Sequence, residues 1–476
     1  MSLDWTRPAR AYSIAHRGAS AYAAESSFRA FEIAAELGAD FWEVDIRLTA
    51  DNQLIVYHDP ELPDGRAIKN LSFQQIDACS KGEMAAPLLE DVLELASKHA
   101  AGIYADIKDT GAAVPAFHAL RKFGIERAII GAFDPEAAKL LKEAGCSYPR
   151  AALVPIGADP FEHAKGADII HLCWERMHRP QDLMTEYFFR RAEQENQLVV
   201  LWHEEDPERM AALRHMPVIG ICSDRPELVQ PFSPPQDWPV QIICHRGANR
   251  FAPENTIEAA HCAFAAGFSH VEIDVRTTSD DQLVVIHDRT VDRTTDGTGV
   301  VAELPLASLK SLDAGSWFSP RFKEQTIPTL DEILQTAQRY NGSLYVELKD
   351  TPAYQVYEAI MAANMLDKCF FWSFDSALLQ DLRAISDRAR IMVRRKDFST
   401  LEEALNFLSP DIIEYTMAED WSEFVECRNS GLQVMIAYNG ADRKEMQSII
   451  DARPDMVNLD QPFLCRDMIQ SARKSL

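Results

Sequence analysis

Positive charge, paired cysteines and long apolar runs are what this chain is short of, and each shortage removes a class of function. Only 48 Lys and Arg stand against 73 Asp and Glu, a formal charge of −25. Such a field opposes docking on nucleic-acid backbones or anionic membrane surfaces. A small anion can still bind, because a metal or a local Arg/Lys cluster outweighs the global field at short range. The nine cysteines form no CxxC pair and no regular spacing, which reads as reduced thiols acting as small core hydrophobes rather than as a disulfide framework. No apolar run reaches the ~18 residues that a membrane-spanning helix needs. The residues before the first motif, with Asp4, Arg7 and Arg10, lack the apolar core of a signal peptide, so a cytoplasmic protein is expected. The sequence assigns no oligomeric state.

What is present is one pattern written twice. His16-Arg17-Gly18, Glu43-Val44-Asp45 and His58-Asp59 return as His245-Arg246-Gly247, Glu272-Ile273-Asp274 and His287-Asp288, each displaced by 229 residues. A period this long means two duplicated domains, not a solenoid unit. At 476 residues the chain has room for two large α/β domains. The expected division is residues 1–230, a Pro-rich linker at 231–240, and residues 241–476. Pro231, Pro234, Pro235 and Pro239 stiffen that linker.

Apolar, β-branched runs alternate with amphipathic helical stretches in both halves, which implies parallel strands covered by helices. In the first half the runs lie at 13–15, 44–48, 54–57, 103–107, 128–133, 151–154, 169–173 and 198–202. In the second they lie at 241–244, 271–276, 283–287, 344–348, 370–374, 391–393, 411–415 and 434–438. About eight βα units per half predict two (β/α)8 barrels, with an open doubly wound sheet as the competing arrangement. The polar residues favour the barrel. His16, His58, Lys108 and Asp134, like His245, His287, Lys349 and Asp375, fall at or just past predicted strand ends, where a barrel gathers its active site. Later in the chain the offset rises to 241: Asp106-Ile107-Lys108 answers Glu347-Leu348-Lys349. The second copy has therefore gained 12 residues, in a loop around 290–322.

Glu272 and Asp274 are two apart on a strand and share a face, as Glu347 and Lys349 do. Three carboxylates at one barrel mouth call for a cation, and oxygen-only ligands select Mg2+ or Ca2+. Glu272, Asp274 and Glu347 are the expected metal ligands. Recurrence of the ExD between two His motifs argues against structural ion pairs. One of His245 and His287 can then serve as base and the other as acid, with Arg246 and Lys349 facing phosphate oxygens. This is the chemistry of phosphodiester cleavage.

The second half resembles the glycerophosphodiester phosphodiesterase family: HRGANRFAPENT, VEIDVRTTSDDQLVVIHD, DAGSWFSPRFKEQTIPTLDEIL and VELKD follow its pattern in order. The resemblance implies a TIM barrel of the phosphatidylinositol-phosphodiesterase-like type that hydrolyses small glycerophosphodiesters to glycerol 3-phosphate and an alcohol with a divalent metal. It places acid/base catalysis on His245 and His287, the metal on Glu272, Asp274 and Glu347, and phosphate contacts on Arg246 and Lys349. Glu254 and Asn255 support the site, and Trp317 and Phe318 of the inserted cap shape the substrate entrance.

The first half is similar but divergent. His16, His58, Arg17, Lys108, Glu43 and Asp45 are kept, Asp106 replaces a Glu, PENT has become Ala24-Glu25-Ser26-Ser27, and the cap is short. A second catalytic site with another substrate preference is expected there. The alternatives are a phospholipase C/D-like enzyme on lysolipids or phosphoinositides, or a first barrel that only binds phosphodiesters. Asp224-Arg225-Pro226 and Asp460-Gln461-Pro462, which close each repeat after a short apolar strand, are expected to cap helices or close the barrel. Trp202 and Ala437 share one repeat position, which widens the second pocket. His171, His178, His203 and His215 have no counterpart in the other repeat and are expected to be surface or core residues.

Overall fold

The computed structural model describes residues 4–80, 84–173 and 183–474, with side chains to residue 471; His178 lies outside them. The chain divides into two compact units, Met1–Gln230 and Pro231–Leu476. Unit one contains β1 (Tyr12–Ala15), β2 (Phe41–Leu48), β3 (Leu54–Val56), β4 (Gly102–Ile107), β5 (Ala128–Ala132), β6 (Arg150–Val154), β7 (Ile169–Cys173), β8 (Leu198–Trp202) and β9 (Gly220–Ser223). Their order is β1-β9-β8-β7-β6-β5-β4-β2-β3, and β1 also pairs with β2, so eight parallel strands close a barrel while β3 is an antiparallel flap on β2.

Unit two repeats this with β10 (Gln241–Cys244), β11 (His270–Thr277), β12 (Leu283–Val285), β13 (Ser343–Leu348), β14 (Cys369–Trp372), β15 (Arg390–Arg394), β16 (Ile412–Tyr415), β17 (Gln433–Tyr438) and β18 (Met456–Leu459). It closes through β10–β11, with β12 as the flap. Two tandem (β/α)8 barrels are therefore present, as the alternating pattern implied. The runs at 54–57 and 283–287 are flaps, and the eighth barrel strands are the short apolar runs ahead of Asp224 and Asp460.

The barrel strands read as nearly continuous hydrophobic runs because both faces are buried. Helices begin where a side chain caps the free N–H groups: Ser27 accepts from Ala30 N at 3.1 Å and Thr256 from Ala259 N at 3.2 Å. Asp134 and Asp375, at strand ends, do the same for Glu136 and Ala377, each at 3.0 Å, so they start helices rather than facing a reactant. The Pro-rich segment at 231–240 is packed within unit two, where the buried Trp238 indole donates to Pro454 O at 2.8 Å. All nine cysteines are free thiols, seven of them buried. Among the described residues no helix is long and apolar enough to cross a membrane.

Candidate active site

In parallel strands, paired residues project to the same side, and the register stacks the site inside each barrel. Asp274 pairs with Glu347 and Glu347 with Trp372; in unit one Asp45 pairs with Asp106. Glu272, Asp274 and Glu347 thus converge, one oxygen from each lying within 4.8 Å of the others, and Glu43, Asp45 and Asp106 converge likewise. All six are buried. Burial, aided by repulsion from the two neighbouring carboxylates, holds Glu272 and Glu43 well above the usual carboxylate range. Glu347 is pushed up to about 7, first by burial and then by Asp274. Burial also acts on Asp274, but Lys349, His287 and Arg246 outweigh it and keep that carboxyl below its ordinary value. Lys349 Nζ lies 3.0 Å from Asp274 and also bonds Glu347. In unit one Lys108 lies 2.9 Å from Asp45 and 2.6 Å from Asp106, whose second oxygen is buried with no hydrogen-bond partner. A donor set of three buried carboxylates, two of them resisting ionisation, fits a hard divalent cation.

The turns after β1 and β10 deliver the first histidine and arginine. Arg17 and Arg246 hold φ of 56° and 59°, and Gly18 and Gly247 both hold φ of 83°. A Cβ on Gly247 would meet Ala259 at 2.7 Å, so only glycine lets the turn lie on the helix behind it. This folding points the Arg246 amide at Glu272, 2.8 Å away, and the Arg17 amide at Glu43, 2.9 Å away. His245 Nδ1 bonds Asp460 at 2.6 Å and His16 Nδ1 bonds Asp224 at 2.7 Å. These aspartates orient imidazoles, a role the capping expectation missed; their position just past the last barrel strand was the available signal. His287 and His58 are held in the same way by Asp288 and Asp59, each at 2.7 Å. With Nδ1 engaged, Nε2 is the nitrogen left to exchange a proton. Burial pulls His287 below the usual imidazole range against the pull of Asp274 and Asp288.

The surrounding residues differ between the units. Asn255 Nδ2 donates to Asp274 at 2.7 Å, whereas Ser26, at the equivalent position, has a buried hydroxyl without a partner and Arg17 Nε approaches Asp45 at 3.0 Å instead. Arg246 bonds Glu254 at 2.9 Å, and Arg293 of the inserted loop joins Glu254 to Asp288 by contacts of 2.7–3.1 Å. Trp317 and Phe318 pack edge to face at 5.7 Å, and the Trp317 indole is bonded to Ala314 O. Neither lines the cavity of about 600 Å³ beside the second site, which is walled by His245, His287, Glu347, Trp372, Phe374, Arg394, Glu414, Ala437, Tyr438 and Asn458 among others. In unit one His203 stacks on His16 with centroids 5.1 Å apart, and Trp202 meets His16 edge to face at 5.6 Å. His203 therefore belongs to the site, contrary to the expectation of a surface or core residue, and its place immediately after a strand was the signal. His171 is a core residue, buried against Tyr104.

With this geometry in view, the model of the glycerophosphoryl diester phosphodiesterase family matches residues 16–228 and again 245–460. The chain belongs to that family. It is 30% identical over 241 residues to a glycerophosphodiester phosphodiesterase of Caldanaerobacter subterraneus, covering 46% of this chain and 94% of that protein. Against a Bacillus subtilis glycerophosphodiester phosphodiesterase the match is 35% over 134 residues, 26% of this chain and 45% of the relative. A crystal structure of the Agrobacterium tumefaciens glycerophosphodiester phosphodiesterase aligns at 36% identity and a TM-score of 0.46, over 48% of this chain and 99% of that one.

Proposed function

We propose that this family member is a metal-dependent glycerophosphodiester phosphodiesterase, releasing glycerol 3-phosphate and an alcohol, with its principal site in the second barrel. One observation carries the reading: two aspartate-oriented histidines, Arg246, Glu272 and Glu347 line a single cavity, with Asp274 in the same carboxylate cluster and Lys349 bonded to it. Glu272, Asp274 and Glu347 would hold Mg2+ or Ca2+, which when bound supplies a Lewis acid for the phosphate oxygens. Arg246 and Lys349 bring fixed charge to the same oxygens, and Glu254 and Asn255 hold Arg246 and Asp274 in place. One of His245 and His287 removes the proton of the attacking oxygen, the other protonates the departing alcohol oxygen at Nε2, and one water is consumed overall to give glycerol 3-phosphate. The cavity wall sets Arg394, Lys396, Glu414 and Asn458 beside the rings of Trp372 and Phe374, and the four polar groups support a small leaving group over the acyl chain of a lysolipid. Retention of His16, His58, Glu43, Asp45, Asp106, Arg17 and Lys108 in equivalent geometry supports a second catalytic site in the first barrel with its own preference. The nine free thiols fit a reducing compartment, and the cytoplasm is the location we assign. Release of glycerol 3-phosphate from glycerophosphoglycerol should disappear with EDTA and return with Mg2+ or Ca2+. Undiminished release in the chelator would refute the metal assignment.

A further inference from the structure

The strand registers let the two barrel interiors be compared position by position beyond the carboxylates. Arg394 pairs with Glu414 on β15 and β16 as Leu153 pairs with His171 on β6 and β7; Trp372 answers Gly131, and Asn458 answers Cys222. In the first barrel the Tyr104 hydroxyl and His171 Nδ1 share a hydrogen bond of 2.5 Å, and only His171 Nε2 is left without a partner. In the second barrel Tyr345 replaces Tyr104 and Glu414 replaces His171, and no such bond forms. Glu414 and Asn458 are each only 7% exposed, both line the 600 Å³ cavity, and Asn458 Oδ1 is buried without a hydrogen-bond partner. A buried carboxylate is costly unless something arrives to meet it, and the cations Arg394 and Lys396 act on Glu414 through space with no ion pair among the described residues. The nearby guanidinium of Arg394 does not meet it: that group makes two bonds to Asp397, at 2.8 and 2.9 Å, and lies over the rings of Trp372 and Phe374, 4.5 and 4.6 Å from their centroids.

We propose that Glu414 is a specificity residue that receives an ammonium group on the leaving alcohol, so that the second barrel prefers glycerophosphodiesters with a cationic headgroup. The inference rests on the phosphodiesterase reading above. Glu414 and the unpartnered Asn458 Oδ1 offer acceptors to the cavity, and an ammonium brings donors and the compensating charge together. The first barrel carries Leu153, His171 and Cys222 at these positions, with no carboxylate among the three.

The test uses the full chain with His16→Ala silencing the first barrel and compares kcat/KM for glycerophosphoethanolamine and glycerophosphoglycerol. The ethanolamine substrate should be favoured by about tenfold or more, the scale of a charged hydrogen bond. Glu414→Gln should erase that ratio while leaving glycerophosphoglycerol within about twofold. A ratio near one in the parent, or equal losses on both substrates in the variant, overturns the proposal. If neither substrate turns over, the phosphodiesterase reading fails, and calorimetric binding of glycerophosphoethanolamine decides the subsite on its own. In the His245→Ala chain, adding Glu414→Gln should weaken binding at least tenfold; unchanged affinity overturns the subsite.

Discussion

The two barrels agree on one side and disagree on the other. On the strands and turns that carry the histidines, the carboxylates and the lysine, they match almost bond for bond, including Arg amide to Glu, His to Asp, and Lys between two acids. Around the rest of the ring, Gly131, Leu153, His171, Trp202 and Cys222 face Trp372, Arg394, Glu414, Ala437 and Asn458. A barrel whose strands each contribute inward side chains can keep its reaction frame and rewrite its substrate pocket independently. The lesson is that duplication here preserved a chemistry and released a choice.

The largest test of that contrast is removal of the first histidine in each copy. His245→Ala should lower glycerol 3-phosphate release from second-barrel substrates by about 10³-fold, in the range of general acid–base catalysis, while His16→Ala leaves the same rates within about twofold. A shared loss on both changes would mean that the barrels do not act as separate sites. A smaller effect is expected from Asn255→Ser, which gives the second site the residue of the first. Losing the bond to Asp274 should weaken divalent-metal affinity by roughly 10- to 100-fold, read by calorimetric titration. Unaltered affinity would remove Asn255 from the account of why the copies differ.

The smallest effect concerns pH, and it has opposite signs in the two units. Burial raises Glu414 to about 7 from an ordinary 4.5 and lowers His171 to about 3 from 6.5. Below pH 4.5 Glu414 is protonated folded or unfolded. As pH rises toward 7 the unfolded chain releases this proton first, so unit two loses stability. His171 is neutral in both states above 6.5. As pH falls below that value the unfolded chain takes up a proton that the folded one refuses, so unit one loses stability. Each effect is of order 2 kcal/mol. Differential scanning calorimetry of the full chain should show Glu414→Gln stabilising its transition at pH 8 but not at pH 4.5. His171→Gln should flatten the acid-side fall of the other transition. A parent chain whose two transitions move together with pH would contradict the assignment.

Much of this was legible because some chemistry is local in sequence. The ExD spacing fixes two carboxylates on one strand face, and the constant 229 offset carries that geometry to the second copy. Strand count was legible in number but not in identity: Leu54–Val56 and Leu283–Val285 have the same apolar character as barrel strands, and only long-range pairing makes them flaps. The imidazole partners Asp224 and Asp460 and the stacked His203 are harder to read because their contacts cross about 190 to 215 residues, and their place just past a strand marks the site without naming the partner. Trp317 and Phe318, which likeness to a motif places at the entrance, pack edge to face and are not among the residues lining the cavity.

The pairing of His245 with Asp460 has a consequence for how such a protein comes to life. The histidine follows the first strand of its ring and the aspartate follows the last, 215 residues later, as in the first unit across 208. The three site carboxylates sit on neighbouring strands, whereas the bond between His245 and Asp460 needs the last strand beside the first. Orientation of that imidazole is thereby tied to closure: a ring without its last strand would keep the carboxylate cluster and leave the histidine without its aspartate.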